Sequence, residues 1–215
     1  MGNLVGVASS IDARYPIAVL VSGSGTNLQA LIDASANAAF GARIAVVISD
    51  RPGVGALDRA DSAGLTSVVV AWRDHADRES FTAAVCEAAR AHDAEALVLA
   101  GFMRILSRSA IESFPNRIVN THPALLPAFP GARAVADALA HGVKLSGVTI
   151  HFVDEEVDHG PIITQEAVRV DDGDDEASLH AKIQEIEHRL YPEVVDALAR
   201  DLIEADGRRV TWNVS

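Results

Sequence analysis

Ile17-Ala18-Val19-Leu20-Val21 runs directly into Ser22-Gly23-Ser24-Gly25-Thr26-Asn27, with Leu28 following. Five consecutive apolar residues without polar alternation suit a strand buried on both faces, as in a parallel sheet covered by helices. The glycines that follow let the backbone turn sharply and approach a neighbour closely. A strand, a glycine turn and a helical stretch in this order open a β-α-β unit.

The same alternation continues outward. Apolar, β-branched runs predict strands over residues 17–22, 43–49, 66–70, 96–100 and 117–120. Helical spacing or composition fills residues 27–38, 54–63, 78–92 and 107–113 between them. Right-handed crossovers then give an α/β fold: a doubly wound, mostly parallel sheet with helices on both faces. Ligands are expected at the carboxyl ends of its strands, near a switch in strand order. Residues 146–153 and 161–170 read as two longer strands joined by an acidic turn, so an antiparallel strand enters late. After the polar break Asp171-Asp172-Gly173-Asp174-Asp175, Leu179, Ile183, Ile186, Leu190, Val194, Leu198 and Leu202 recur every three or four residues. That spacing predicts an amphipathic helix, which Pro192 is expected to kink or divide. No repeat or linker interrupts the chain, so residues 16–215 read as one domain behind a disordered leader over residues 1–15.

Composition narrows the function classes. The 215 residues hold 30 acids against 18 bases, a formal charge of −12, which disfavours non-specific nucleic-acid binding. With 49% hydrophobic and 22% charged residues, the chain is that of an ordinary globular protein. The one cysteine, Cys86, supports neither a disulfide framework nor a cysteine-rich zinc site and fits a reducing compartment. No apolar run reaches the roughly 18–20 residues of a membrane span. Residues 1–15 lack the basic segment and apolar run of a signal peptide. A cytoplasmic protein without membrane or nucleic-acid partner is expected.

Two segments carry chemistry. The turn from Ser22 to Asn27 offers free N–H groups at a helix N-terminus, suited to a phosphate; it equally serves as a tight turn capped by Thr26 or Asn27. A dinucleotide fingerprint is disfavoured, because Leu28 occupies its third small position, although Asp50 at the end of the second strand could meet a ribose. Asn120-Thr121-His122-Pro123-Ala124-Leu125-Leu126-Pro127 is the densest signal. Alternation puts Asn120 and His122 on one side of an extended segment. An amide there can donate to a developing oxyanion, and an imidazole can donate, accept or shuttle a proton. Asp158, in Asp154-Glu155-Glu156-Val157-Asp158-His159-Gly160-Pro161, would orient and charge His122 if the fold brings them together. His122, Asp158 and His159 lack the spacing of a metal motif, and the Asp171 run does not match a calcium loop, so no metal is expected.

These residues resemble the folate-dependent glycinamide ribonucleotide transformylases, members of the formyltransferase family. The resemblance lies in Ser22-Gly23-Ser24-Gly25-Thr26-Asn27-Leu28-Gln29-Ala30, Ala100-Gly101-Phe102-Met103-Arg104-Ile105-Leu106, the Asn120–Pro127 element, and His151-Phe152-Val153 leading to Asp158-x-Gly160-Pro161. It implies a Rossmann-like formyltransferase fold and transfer of a formyl group from 10-formyltetrahydrofolate to the amine of glycinamide ribonucleotide. Gly25, Thr26, Asn27, Gln184 and Glu187 then match ribonucleotide-binding positions. Arg78, Met103, Arg104, Ile105, Leu106, Asn120 and the loop Asp154, Glu155, Glu156, Val157, Asp158 match folate-binding positions. Asn120, His122 and Asp158 match the catalytic trio, with Asn120 and a protonated His122 donating to the oxyanion and Asp158 holding the charge. The implied partners are these two small molecules, formyl-folate acting as cosubstrate without a metal, and a homodimer is compatible with them. Ala124, Ala128 and His159 depart from residues common in the family; none belongs to the trio. Formyl transfer to a tRNA, hydrolysis of formyl-folate and a non-catalytic binding module are the competing readings.

Overall fold

The protein is described here by a computed structural model covering residues 12–213. The chain order is β1 (Tyr15–Val21), α1 (Thr26–Ser35), β2 (Ala42–Ser49), α2 (Gly55–Ser62), β3 (Ser67–Val69), a 3-10 turn (Trp72–Asp74), α3 (Arg78–Arg90), β4 (Ala96–Leu99), α4 (Arg108–Ser113) and β5 (Ile118–His122). It continues through α5 (Ala134–His141), β6 (Leu145–Phe152), β7 (Ile162–Arg169), α6 (Glu176–Ala199), β8 (Ile203–Asp206) and β9 (Arg209–Trp212). Seven strands form one sheet in the order β3-β2-β1-β4-β5-β6-β7. The first five are mutually parallel, whereas β6 runs antiparallel to both β5 and β7. The expected doubly wound, mostly parallel sheet is therefore present, with its antiparallel addition late in the chain.

Side-chain alternation in β1 explains the two layers. Ile17, Val19 and Val21 point into a cluster with Leu28 and Leu31 of α1 and Leu179, Ile183 and Val194 of α6. Ala18 and Leu20 point into the opposite cluster, with Phe81 and Val85 of α3 and Ala110 of α4. Both faces of one strand are covered, so the apolar run has no polar positions to alternate with. Strand order reverses between β1 and β4, since the chain leaves β1 toward β2 and β3 and returns to β4 and β5. That switch opens a crevice at the carboxyl ends of both strands.

Several local expectations change. The helix α6 is continuous across Pro192, which lies buried inside it, so the proline does not divide it. Buried Leu190, Tyr191, Val194 and Val195 hold both flanks of the proline against the sheet, and this packing outweighs one missing backbone hydrogen bond. Leu202 lies beyond the helix, its N–H returning to the Ala197 carbonyl at 2.9 Å. The helix α5 and the β8–β9 hairpin had no sequence signal assigned to them. Of the leader expected over residues 1–15, residues 1–11 lie outside those described, and Tyr15 already pairs with Ala42 as the first residue of β1. Cys86 is buried in the second cluster, as core.

Gly147 in β6 is where the sheet tolerates no side chain. A Cβ there would meet the Glu166 carbonyl oxygen and, 2.7 Å away, Leu125 Cδ2. Gly147→Ala is expected to destabilise the fold by about 3 kcal/mol through overpacking; an unchanged urea midpoint would show that the strand yields instead.

Candidate active site

The glycine turn places its residues as follows. Gly25 is the residue before α1, with φ 74°. A Cβ at this position would lie 2.7 Å from both Cα and Cβ of Ala56, so the close approach of α1 to α2 requires glycine. Among the described residues no side chain caps α1: neither Thr26 nor Asn27 does so. Asn27 is buried and its Nδ2 donates to Glu187 Oε2 at 3.1 Å, while its Oδ1 has no partner among the described residues. Gln184 Nε2 approaches Thr26 Oγ1 at 3.4 Å. All five ribonucleotide candidates thus meet where α1 crosses α6. Glu187 is itself buried, and its second oxygen accepts from the Thr121 hydroxyl at 2.9 Å.

Thr121 lies between Asn120 and His122 at the end of β5. His122 is buried, with Nδ1 3.3 Å from Asp158 Oδ2 and Nε2 donating to the Phe129 carbonyl at 2.8 Å. Asp158 Oδ2 also accepts the Gly131 N–H at 2.7 Å. The trio inferred from sequence therefore comes together. Beside these three stands a residue that sequence reasoning had not assigned a role: His151 Nε2 lies 3.2 Å from Asn120 Nδ2 and 3.7 Å from Asp158 Oδ1. Its Nδ1–H donates to the Phe152 carbonyl at 2.8 Å, which leaves Nε2 facing both Asn120 and Asp158. The signal for His151 is the antiparallel register, which pairs Asn120 with His151 and His122 with Thr149.

Opposing effects act on the charge of His122. Both ring nitrogens face acceptors, an arrangement that only the imidazolium satisfies fully. Burial nevertheless pushes the ring below its ordinary value; the Asp158 charge and the Phe129 carbonyl oppose it only in part. Burial also raises Asp158, yet hydrogen bonds from His151 and the Gly131 N–H, with the His122 charge, hold its carboxyl below the usual range. Asp158 itself sits at φ 52°, a left-handed conformation that aspartate tolerates better than most residues.

The loop after His122 is pinned from the sheet. Thr149 Oγ1 donates to the Ala124 carbonyl at 2.7 Å and accepts the Leu126 N–H at 3.0 Å. Gln165 Nε2 donates to the Leu126 carbonyl at 2.8 Å and to Thr149 Oγ1 at 2.9 Å. With its carbonyl bonded to Thr149, Ala124 contributes through its backbone. His159 turns away from Asp158 and bonds Asp154 Oδ2 through Nδ1 at 2.7 Å.

The folate candidates are more dispersed. Met103, Ile105 and Val157 expose apolar side chains, whereas Leu106 is buried in the second core cluster. Glu155 and Glu156 are exposed on the same loop as Val157. Arg78 is exposed at the start of α3 and makes no hydrogen bond to the others among the described residues. Asp50 is enclosed by Arg51 and Arg104 and so is not open to a ribose. Among the described residues no group of three or more metal-ligating side chains occurs, and no helix is long and apolar enough to cross a membrane.

Because burial lowers the His122 pKa, the unfolded chain takes up a proton there before the folded protein does. The resulting stability is complete above about pH 6.5, the unfolded value, and is lost as pH falls through the lower folded one. Urea melts between pH 7.5 and 5 should show this loss, and His122→Gln should flatten it; identical slopes in both proteins would contradict the burial effect.

Comparisons with known proteins identify the family and agree with the fold. Residues 15–195 match the formyl transferase family. Phosphoribosylglycinamide formyltransferase of Mycobacterium tuberculosis H37Rv is 44% identical over 95% of this chain and 94% of its own. A trifunctional purine biosynthetic protein adenosine-3 of Drosophila melanogaster is 46% identical over 86% of this chain, which spans only 14% of that relative. The crystal structure of glycinamide ribonucleotide transformylase 1 from Symbiobacterium toebii superposes with a TM-score of 0.90 at 45% identity, covering 93% of this chain and 94% of that one. The chain belongs to the formyl transferase family, alongside the phosphoribosylglycinamide formyltransferases.

Proposed function

We propose that this protein is a phosphoribosylglycinamide formyltransferase: it transfers a formyl group from 10-formyltetrahydrofolate to the amine of glycinamide ribonucleotide in purine biosynthesis. The observation that carries the reading is the position of Thr121. Its hydroxyl holds Glu187, the carboxylate of the ribonucleotide group, while its chain neighbours Asn120 and His122 supply the catalytic groups. One strand end thus joins the site for one substrate to the reacting centre.

The residues present fit both substrates. The uncapped N-terminus of α1 suits a phosphate, and the unpartnered Asn27 Oδ1 and the carboxylate of Glu187 suit sugar hydroxyls. Exposed Met103, Ile105 and Val157 supply apolar surface for an aromatic folate ring. Arg78, Arg104 and the loop from Asp154 to Asp158 complete this side of the site, and Leu106 supports it from the core.

The mechanism follows from the side chains. Attack by the amine on the formyl carbon develops negative charge on the formyl oxygen, to which Asn120 Nδ2 donates, as does protonated His122 once its Nε2–H exchanges the Phe129 carbonyl for that oxygen. One such donor is worth about 3 kcal/mol of barrier. Asp158 orients His122, offsets part of the burial penalty on its charge and helps move the amine proton through water to the folate nitrogen, whose bond to the formyl carbon breaks as tetrahydrofolate leaves. Holding two substrates side by side supplies much of the rest. Direct transfer asks for no metal and no covalent enzyme intermediate. We read residues 16–215 as one catalytic domain working in the cytoplasm, without a nucleic-acid partner; a homodimer is compatible with this arrangement.

The test is formyl transfer by purified, metal-free protein, followed by folate absorbance with and without glycinamide ribonucleotide. Turnover should require the ribonucleotide and fall about 100- to 1,000-fold in His122→Ala. Asp158→Asn should cut kcat by about 100-fold or more while ribonucleotide affinity stays within a few-fold. Folate turnover indifferent to the ribonucleotide would mean a hydrolase, and two bound ligands without turnover would mean a binding module.

A further inference from the structure

Asp50 is a buried carboxylate that the mechanism above does not use. It follows β2 directly, its side chain is 0% exposed, and it accepts from two guanidinium groups. Arg104 Nε donates to Asp50 Oδ2 at 2.6 Å; Arg51 donates through Nε at 3.1 Å to Oδ1 and through Nη2 at 3.0 Å to Oδ2. Two arginines on one carboxylate exceed what neutralising that carboxylate requires. Arg104 commits only Nε to it, and its two Nη nitrogens have no acceptor among the described residues.

A chain of contacts fixes the rest of the guanidinium. Arg104 Cζ lies 5.2 Å from the centroid of the Trp72 ring, a cation–π arrangement. Trp72 meets Phe81 edge-on at 5.0 Å, and Phe81 stacks on Phe102 at 6.2 Å. The Asp50 carbonyl accepts the Trp72 N–H at 3.1 Å, so the same residue places both the ring below Arg104 and the carboxylate beside it. Met103 N–H donates to Ser22 Oγ at 2.8 Å, tying the preceding residue to the end of β1. Residues 102–104 are thus held at three successive positions from three different elements.

We infer that Asp50 is a positioning residue for formyl-folate: with Trp72 it locks Arg104 so that the Met103–Leu106 segment is preformed and the Nη pair of Arg104 stays free for an anionic group of the ligand. The inference rests on reading residues 103–106 as the formyl-folate segment. A preset guanidinium loses little freedom on binding, which is where the affinity arises. Asp50 touches neither substrate in this account; its influence passes through Arg104.

The experiment measures both KM values and kcat for Asp50→Asn. Folate affinity is read separately from the fluorescence of Trp72 in a Trp212→Phe background, without turnover. The KM for 10-formyltetrahydrofolate should rise about tenfold, the scale of one charged hydrogen bond. The KM for the ribonucleotide and kcat at saturating folate should change by less than about threefold. General loosening at the strand ends would raise both KM values, because the Ser22–Asn27 turn leaves the neighbouring strand end; that result overturns the inference. In an Arg104→Met background Asp50→Asn should add nothing, and an added effect there also overturns it. Should Asp50→Asn not fold, Asp50→Ser, which leaves room for water beside the two guanidinium groups, takes its place. Met103→Asp is the control for the underlying reading. If it raises the folate KM while the Asp50 variants do not, the positioning role fails and the folate assignment stands. If neither does, the assignment fails and the positioning role with it.

Discussion

The antiparallel pairing of β5 with β6 is the constraint from which the chemistry follows. A parallel neighbour would set its residues in a different relation to Asn120 and His122, and would need a long crossover before its own carboxyl end returned. Running the opposite way, β6 puts His151 beside Asn120 and Thr149 beside His122. It then leaves the sheet at Phe152, close enough for the following loop to deliver Asp158. Thr149 in turn fixes the loop that carries Phe129 and Gly131, the two backbone groups that complete the setting of His122 and Asp158. The five-stranded parallel half supplies a crevice with Asn120 and His122 at its edge; the antiparallel strand adds His151 and Thr149 and leads to Asp158.

This setting is costly in electrostatic terms. A buried imidazole and a half-buried carboxylate are both disfavoured as ions by desolvation. At Asp158 the surrounding donors overcome that penalty, but at His122 they do not. The two halves of the pair are therefore unequally placed: the carboxylate is held as an anion, whereas burial favours the neutral imidazole.

Much of the fold was legible because its signals are local. The unbroken apolar run of β1 announced burial on both sides, and the glycine turn after it announced the entry to α1. Alternation put Asn120 and His122 on one side, whereas the meeting of Asp158 with His122 was implied only by the family resemblance. His151 lay in a quoted motif, yet its role depends on strand register, which the residues on one strand do not specify. The undivided α6 shows a different shortfall: the local rule for Pro192 is sound, but tertiary packing on both sides outweighs it. Asp50 was noticed for its place at a strand end, but its tie to Arg104 was not legible, because that arginine follows β4 and is distant in sequence. The separate β8–β9 hairpin has short, mixed strands whose pattern alone did not distinguish them from loop.

Consecutive residues of β1 also bear on how the molecule comes apart. Ile17, Val19 and Val21 belong to one core, Ala18 and Leu20 to the other, and the strand lies inside the sheet between β2 and β4. Neither core can melt while the other keeps this strand in place, so the two layers unfold as one cooperative unit rather than in turn. Assembly carries the matching burden. Ile17 finds its β4 partner only at Ala96, after α1, β2, α2, β3 and α3 have been laid down. Loop-closure entropy for so distant a pairing must be met before the central strand is secured, which makes this a slow-folding topology whose two faces rise and fall together.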